Sequence, residues 1–322
     1  MAWELIQCMT REQGITAWQP MTLDEYAEHE RNNGATLEKV EGVWWKAIRP
    51  FFYRPLFPYA KLDPGTVKPP AKSVFGGYQH AVTRLDGANS YLNLFQFQDI
   101  HAYSIESAGK TLRKHIRKAA GSLCVREISD LDHFIADAYP VYLEFYARTG
   151  YRWRKDRTQQ ESFAEYSRRL FSFPKVLVWG VYAGERLVGV NLSYVVQDVV
   201  FDASMFATSE ALKMGASDLL WHVLRERAST IPGINYIFEG MPTGHAGVDR
   251  SKILRGCHVS ALPAYYRLNP LAHFMAKGLR KQALMKLRGK NDDEVRSAYY
   301  EEVNESRTPA ALNPLARREG AL

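Results

Sequence analysis

The sequence has 322 residues, of which 46% are apolar and 12% aromatic, and this content excludes a chain that is disordered throughout. Its net charge of +7 indicates an acidic partner: a nucleotide-bearing cofactor, a nucleic acid or an anionic membrane surface. Cys8, Cys124 and Cys257 lie far apart and match no metal-ligand spacing, so we expect reduced thiols, no disulfide framework and no metal site.

Targeting signals and membrane spans are not evident in the sequence. The N-terminus lacks an apolar run of signal-peptide length, and no run of about 18 apolar residues occurs. We therefore expect a soluble, cytoplasmic protein. The stretch at residues 62–72, LDPGTVKPPAK, is the best linker candidate and sets a predicted domain boundary at residue 72.

The predicted N-terminal region, residues 1–72, carries local signals for one helix and one hairpin. Thr22 is a candidate N-cap with Glu25 three residues later, which is a capping box, and Gly34 is a stop signal. TLEKV and VWWKAI flank Glu41 and Gly42, a pattern typical of a β-hairpin. This region is expected to be a small α/β unit.

Seven aromatic residues fall between Trp44 and Tyr59. They could line a substrate entrance, touch a membrane or form the core of a small domain. Pro50, Pro55 and Pro58 in the same stretch argue against a regular helix or a central strand there.

The middle of the chain predicts strands and helices in an α+β order. A strand-like pattern from residue 73 ends in YLNLFQFQDI, and a basic helix, a strand and two further helices follow it. Asp130 or Ser129 is the candidate cap of the first of these two helices, Pro140 a kink and Gly150 an end. The basic helix is either a solvated surface or a phosphate-binding element, and its charged residues are Lys110, Arg113, Lys114, His115, Arg117 and Lys118.

Residues 176–269 are the stretch around which the chain is organised. VLVWGVYA, ERLVGVNLSYVV and DVVFDASMFA alternate with turn signals and predict an antiparallel meander. A helix in ALKMGASDLLWHVLRERASTIP and the strand INYIFEG follow. A polar loop with a short basic helix then leads into a last strand, HVSALPAYYRLN.

Beyond Pro270 the chain is amphipathic and basic up to about residue 290. Such a helix can lie on an anionic membrane or pack against its own domain. Residues 291–322 are expected to form a helical extension and a mobile tail, because they carry little apolar surface. The main domain is therefore predicted to span residues 73–290.

This order of elements resembles the GNAT acyltransferases, and more narrowly their Fem-type, FemAB-like branch. Four pieces carry the resemblance: GVYAGERLVGV, KMGASDLLWHVLRERA followed by a strand ending in FEG, SKILRGCHVSALPAYYRLNP and KTLRKHIRKAAGSLCVREI. The resemblance implies an α+β GNAT fold with a mixed, mostly antiparallel sheet, and residues 1–72 as a degenerate first GNAT half.

The resemblance also implies a donor site at a helix start. GNAT enzymes hold the pyrophosphate of the donor on the free N–H groups of the helix after the meander, where the helix dipole favours anions. The corresponding residues are Lys213, Met214, Gly215, Ala216 and Ser217. Leu212 stands where the family signature has Arg or Gln, so a non-catalytic, GNAT-like binding module remains an alternative.

Acyl transfer to an amine needs a group that removes the amine proton. In a GNAT fold the strands around the donor diverge, which makes Glu239, at the end of INYIFEG, the expected base or acceptor-orienting group. His245 on the next loop is a second candidate, and Asp202 is a carboxylate within an apolar strand. His222 is expected to be a core histidine.

Three further residues take expected roles from the resemblance. Lys252 and Arg255 match the basic positions of the family's Phe-Lys-x-x-Phe-Gly element and are expected to approach a substrate phosphate. Either Tyr265 or Tyr266 would protonate a leaving thiolate.

The predicted function is transfer of an acyl group from acyl-CoA, or another thioester, to the amine of a small molecule or peptide in a ternary complex. An aminoacyl-tRNA is the alternative donor, and neither a metal nor DNA is expected to take part.

Overall fold

The computed structural model describes residues 18–150, 154–279 and 281–301, and the strands of these ranges form one sheet. The strands are β1 (Leu37–Val40), β2 (Val43–Arg49), β3 (Phe52–Pro55), β4 (Lys61–Leu62), β5 (Gly77–Val82), β6 (Ser90–Phe97), β7 (Cys124–Glu127), β8 (Leu177–Ala183), β9 (Arg186–Val196), β10 (Val199–Ala207), β11 (Tyr236–Phe238) and β12 (His258–Leu268). The helices are α1 (Leu23–Asn32), α2 (Lys110–Ala120), α3 (Leu131–Thr149), α4 (Gln160–Phe171), α5 (Ser209–Lys213), α6 (Ala216–Ser229), α7 (Ala246–Leu254), α8 (Pro270–Leu279), α9 (Lys281–Arg288) and α10 (Asp292–Val295).

The strand order across the sheet is β1-β2-β3-β5-β12-β6-β11-β10-β9-β8-β7, with β4 beside β5. Eight of the eleven pairings between these strands are antiparallel, and β3–β5, β4–β5 and β10–β11 are parallel. The predicted α+β fold with a mixed, mostly antiparallel sheet is therefore confirmed.

The predicted meander forms as β8, β9 and β10, joined by tight turns in which Gly184 and Gln197 have positive φ. Every residue of β9 except Arg186 is buried, because helices cover both faces of the sheet here. One core lies between these strands and α1, α3 and α4, and a second lies between them and α2 and α6. Burial on both faces explains why these strands are continuously apolar in sequence.

Local helix signals are confirmed where the side chain that carries them can act within one turn. Thr22 and Glu25 form the expected capping box before α1. The carboxylate of Asp130 accepts a hydrogen bond from the N–H of His133 at 2.8 Å and begins α3. Gly150 ends α3 in the left-handed conformation with φ of 56°.

The proline-rich stretch contains a strand that the sequence analysis excluded. β3 lies between β2 and β5, so the expectation of no central strand was wrong. Pro50 precedes the strand and Pro55 is its last residue, and β5 pairs only with Phe52 and Tyr53. The prolines therefore flank the part of the strand that needs N–H groups on both sides.

The predicted N-terminal region contributes β1 to β4 to the same sheet as the rest of the chain. The boundaries at residues 72 and 290 stay predictions. Cys8 and most of the expected tail, residues 302–322, lie outside the described residues. In the ranges that the structure describes, no helix combines the length and the apolar character that a bilayer crossing requires.

Candidate functional site

The parallel strands β10 and β11 are paired over only three residues, 199–201 with 236–238. Beyond this point β10 continues to Ala207 along β9. The chain that leaves β11 instead follows β6, where the N–H of Glu239 donates to the carbonyl of Phe95 at 2.8 Å. The two strands therefore diverge, and we call the gap between residues 202–207 and residues 239–241 the wedge.

A β-bulge explains why β10 leaves its neighbour. Its register with β9 shifts between Asp202 and Ser204, and a bulge of this kind bends a strand and increases its local twist. Ala203 and Ser204, which lie at the bulge, are exposed.

A cavity of about 720 Å³ lies on the sheet face that carries α1 and α4, and it extends to the wedge. Residues 201–204 line it from β10, and Phe238, Gly240 and Met241 line it from the end of β11. The lining is rich in charge, with Glu30, Lys46, Arg54, Arg154, Arg157 and Asp202. Such a cavity fits a polar molecule that carries charges of its own.

Two carboxyl groups lie at the base of the wedge. Asp202 and Glu239 are the residues that follow the last β10–β11 pair, Phe201 and Phe238. Equal positions on paired parallel strands point to the same face, so these two side chains are neighbours. Glu239 is 4% exposed, and its Oε1 has no hydrogen-bond partner among the described residues. A buried oxygen without a partner is costly and is expected where a ligand completes the site.

The environment of Glu239 favours its neutral form. Burial raises the pKa of Glu239 well above its usual range, and the Asp202 carboxylate raises it further, whereas Arg225 and Lys252 act in the opposite direction. The neutral form of Glu239 is therefore favoured up to a higher pH than that of an exposed glutamate. Asp202 is oriented by Asn191, whose Nδ2 donates to Asp202 Oδ1 at 2.6 Å.

Arg225 is a site residue that the sequence analysis missed. It lies on α6, is 2% exposed and donates to the carbonyl of Arg255 and, at 3.3 Å, to Cys257 Sγ. Its guanidinium stacks over the Phe97 ring at 4.0 Å. The sequence does contain a signal for this residue, which is an arginine within the apolar stretch LLWHVLRERA. A charge on a buried helix face needs a partner or a function.

Lys252 and Arg255 lie near the carboxyl pair but are already engaged. Lys252 donates to the backbone carbonyl of Glu239. Arg255 forms an ion pair with Asp218 and donates from Nη2 to Ser217 Oγ at 2.9 Å. Lys252 thus contacts the end of β11, and Arg255 contacts the start of α6.

The predicted donor residues surround the break between α5 and α6. Lys213 ends α5, Met214 follows it, Gly215 adopts φ of 92°, and Ala216 and Ser217 begin α6. A Cβ on Gly215 would lie 3.2 Å from Ala119 Cβ. The missing side chain of Gly215 therefore lets α2 pack closely against the start of α6.

The charges at this helix start are mixed. Lys213 is exposed, and Arg255 supplies a second cation. Asp218 is the opposing charge, and the Nδ1 of His115 lies 3.5 Å from its carboxylate. An anionic donor at this end would meet two cations and would compete with Asp218 for Arg255.

Two predicted catalytic residues lie apart from the carboxyl pair. His245 is exposed at the start of α7. Tyr265 packs beside Tyr78 and His80, and its strand is separated from β11 by β6, about 10 Å across the sheet.

His222 is the core histidine that was expected, buried and hydrogen-bonded to Tyr103 Oη at 2.9 Å. Burial, with Arg225 nearby, lowers the pKa of His222 to about 4, so its ring is neutral at physiological pH.

The Cys257 thiol lies beside the site and is buried. Burial, with Glu239 nearby, raises the pKa of the Cys257 thiol, so it is not a nucleophilic thiolate. Among the described residues, no three His, Cys, Asp or Glu side chains gather as metal ligands.

No family model matches the sequence, and no curated protein matches it. Among solved structures, the chain is similar to the C-terminal domain of a putative lysylphosphatidylglycerol synthetase from Agrobacterium fabrum. That likeness has 14% identity and a TM-score of 0.54, and it covers 82% of this chain and 93% of that one. FemX is similar at 9% identity and a TM-score of 0.55, over 79% of this chain and 93% of its own. These likenesses show the fold, which is the GNAT fold in a FemAB-like arrangement, as the sequence resemblance predicted.

Proposed function

We propose that this protein is an acyltransferase in which an anionic donor places its reactive carbonyl in the wedge and an acceptor amine attacks it from the cavity. The observation that carries the proposal is the divergence of β10 and β11 directly at the Asp202 and Glu239 pair. A ternary complex follows from this geometry, because donor and acceptor reach the wedge from opposite faces of the sheet.

The donor end of the proposal rests on the start of α6. Free N–H groups there, with Lys213 and Arg255 beside them, suit a phosphate or pyrophosphate group. The exposed backbone of β10 offers hydrogen bonds to an extended arm that connects this group to the carbonyl. An acyl-CoA has this shape and is the first candidate donor.

An aminoacyl-tRNA is the second candidate donor, and one observation favours it. The basic helix α2 packs directly on the start of α6 through Ala119 and Gly215. Lys110, Lys114 and Lys118 of α2 are exposed. The cationic surface therefore extends well beyond what a single pyrophosphate needs, which suits a polyanion.

The carboxyl pair supplies the proton movements of the proposed reaction. The acceptor nitrogen forms a bond to the donor carbonyl carbon, and the bond from that carbon to the leaving sulfur or oxygen breaks. Asp202 accepts the proton that the nitrogen loses, and Glu239, whose raised pKa favours the protonated form, delivers a proton to the leaving group. This assignment makes Glu239 an acid, where the sequence analysis expected a base or an acceptor-orienting group.

Arg54 indicates the charge of the acceptor. It lines the cavity, its Nη1 lies 3.1 Å from Met241 Sδ and its Nη2 donates to Gln79 Oε1 at 2.6 Å. Its buried Nε has no partner among the described residues. Burial lowers the pKa of Arg54 to about 10. We infer that the acceptor carries a carboxylate or phosphate that completes this guanidinium.

Donor binding and donor turnover test the proposal separately. Coenzyme A and a deacylated tRNA are titrated into the full chain over a range of salt, with Lys213→Glu as the variant. Loss of coenzyme A affinity by about tenfold in the variant supports the thioester donor. Binding of tRNA that weakens steeply with salt supports the second donor. Tight binding of either molecule with no turnover of its acyl form would instead support a binding module.

A further inference from the structure

Five apolar side chains form an exposed patch at the end of the sheet where the β2–β3 turn, the turn before β5 and the start of α8 meet. Their exposed fractions lie between 48 and 77%. We call this surface the apolar patch; it consists of Phe51, Val74, Phe75, Leu271 and Phe274. Three of the five are phenylalanines, which are costly to leave in water without a function.

Hydrogen bonds hold the three segments of the apolar patch together. The N–H of Gly77 donates to the carbonyl of Phe51 at 3.0 Å, and the rings of Phe51 and Phe75 lie 5.8 Å apart. Asn269 donates from Nδ2 to the carbonyl of Val74 at 2.9 Å and accepts from the N–H of Leu271 at 2.9 Å. The patch is therefore one preformed surface.

The chain around the apolar patch contains no acidic residue. Neither Asp nor Glu occurs at residues 43–62, 64–85 or 250–291, which are the stretches that contain all five side chains. Lys72 and Lys277 lie on the same stretches and are exposed. An apolar, aromatic surface built from segments whose only charged residues are basic is complementary to an anionic lipid bilayer.

The apolar patch and the cavity share one strand-turn segment. Ile48 lines the cavity and is 38% exposed. It is near the end of β2, and Phe51 follows in the β2–β3 turn. The same hairpin therefore contributes to both surfaces.

We propose that the apolar patch docks the protein on the surface of an anionic lipid bilayer. Phe51, Phe75 and Phe274 enter the headgroup region, and Lys72 and Lys277 contact the lipid phosphates. The docking is peripheral and does not depend on the transferase proposal, because it uses none of the residues of the wedge.

Vesicle sedimentation with the full chain tests the docking. Vesicles of phosphatidylcholine alone are compared with vesicles that also contain phosphatidylglycerol. We expect binding to the anionic vesicles only, and Phe75→Ser/Phe274→Ser should weaken it by at least about tenfold. Lys72→Gln should weaken it by about fivefold and flatten its salt dependence. Leu85→Ser is the matched control, because Leu85 is 68% exposed but lies beyond the opposite end of β5.

Three results would overturn the docking proposal. These are no binding to anionic vesicles, binding that the double variant leaves unchanged, and binding that is equal on neutral vesicles. Sedimentation velocity tests whether a second copy of the chain occupies the patch instead. Concentration-dependent dimers that the double variant abolishes would assign the patch to self-association. Turnover with soluble substrates should be unchanged in the double variant, which separates this test from that of the transferase proposal.

Discussion

The two halves of the sheet differ in what happens where one strand neighbour ends. Along β12, the pairing with β6 over residues 258–264 is followed at once by the pairing with β5 over residues 264–268. β10 is paired with β9 over residues 199–207, but its pairing with β11 ends after three residues and no strand replaces β11 among the described residues. We call the half of the sheet around β12 the closed half and the half around β10 the open half. Pro263 has no N–H to donate to a neighbouring strand. It lies just before the residue at which β12 begins to pair with β5, where a missing N–H costs least.

Buried polar groups differ in chemistry between the two halves. Gln79 in the closed half accepts a hydrogen bond from Arg54 and donates to the carbonyl of Leu287 at 2.7 Å. The buried atoms without a partner among the described residues of that half are nitrogens, such as His80 Nε2 and Trp45 Nε1. In the open half Glu239 has an unpartnered carboxyl oxygen at the point where two strands part, which is where a ligand can reach it.

The largest expected effect tests the open half. Glu239→Gln should lower donor turnover by about a thousandfold, because it removes the proton donor while keeping the side-chain shape. Turnover is measured as thiol release from acyl-CoA or as loss of the aminoacyl ester. The thermal midpoint should not fall, since a neutral amide suits the buried position. Unchanged turnover in a folded Glu239→Gln protein would exclude the proposed role.

The matching change in the closed half is Gly77→Ala. Gly77 has φ of 151°, and a Cβ there would lie 2.2 Å from the carbonyl oxygen of Arg267. We expect a loss of about 3 kcal/mol in the free energy of unfolding, measured by urea denaturation. Turnover per folded molecule should stay within twofold or so of the parent. A large loss of turnover without a loss of stability would contradict the claim that the closed half supports the fold and the open half the reaction.

The pH dependence of stability sharpens the comparison. Below the ordinary glutamate pKa of 4.5, Glu239 is protonated in both the folded and the unfolded chain. Above it, the unfolded chain loses the proton and the folded chain keeps it, so stability falls as pH rises. The slope should reach about 1.4 kcal/mol per pH unit relative to Glu239→Gln. Parallel curves for the two proteins would contradict the raised pKa.

The smallest expected effect concerns the acceptor. Arg54→Gln removes the guanidinium from the cavity and should raise the KM for an anionic acceptor by about tenfold with little change in kcat. Arg84→Gln is the control, since Arg84 is a largely exposed arginine paired with Asp86. Equal KM values in the parent and in Arg54→Gln would contradict the proposal that the acceptor carries an anionic group.

The sequence was sufficient wherever structure is set by neighbours along the chain. The Thr22 capping box, the hairpin at Glu41 and the meander all depend on turns, caps and apolar periodicity within a few residues. The same holds for Asp130 and Gly150 at the ends of α3. The GNAT resemblance followed from the order of these elements, and the fold confirms it.

The sequence was insufficient where the site depends on contacts between distant segments. That Arg225 is buried against Phe97 and Cys257 depends on packing between α6, β6 and β12. The raised pKa of Glu239, expected from sequence to be a base or an acceptor-orienting group, depends on its burial beside Asp202. Neither residue type nor spacing contains this information, because burial is decided by the whole fold.

Hydrogen–deuterium exchange of the full chain with and without donor tests the central claim most directly. Coenzyme A and deacylated tRNA are the two probes. The account predicts that one of them slows exchange of the amides at residues 202–207 and at the start of α6, while β12 is unchanged. Protection elsewhere, with residues 202–207 unaffected by either probe, would contradict a donor site between β10 and β11.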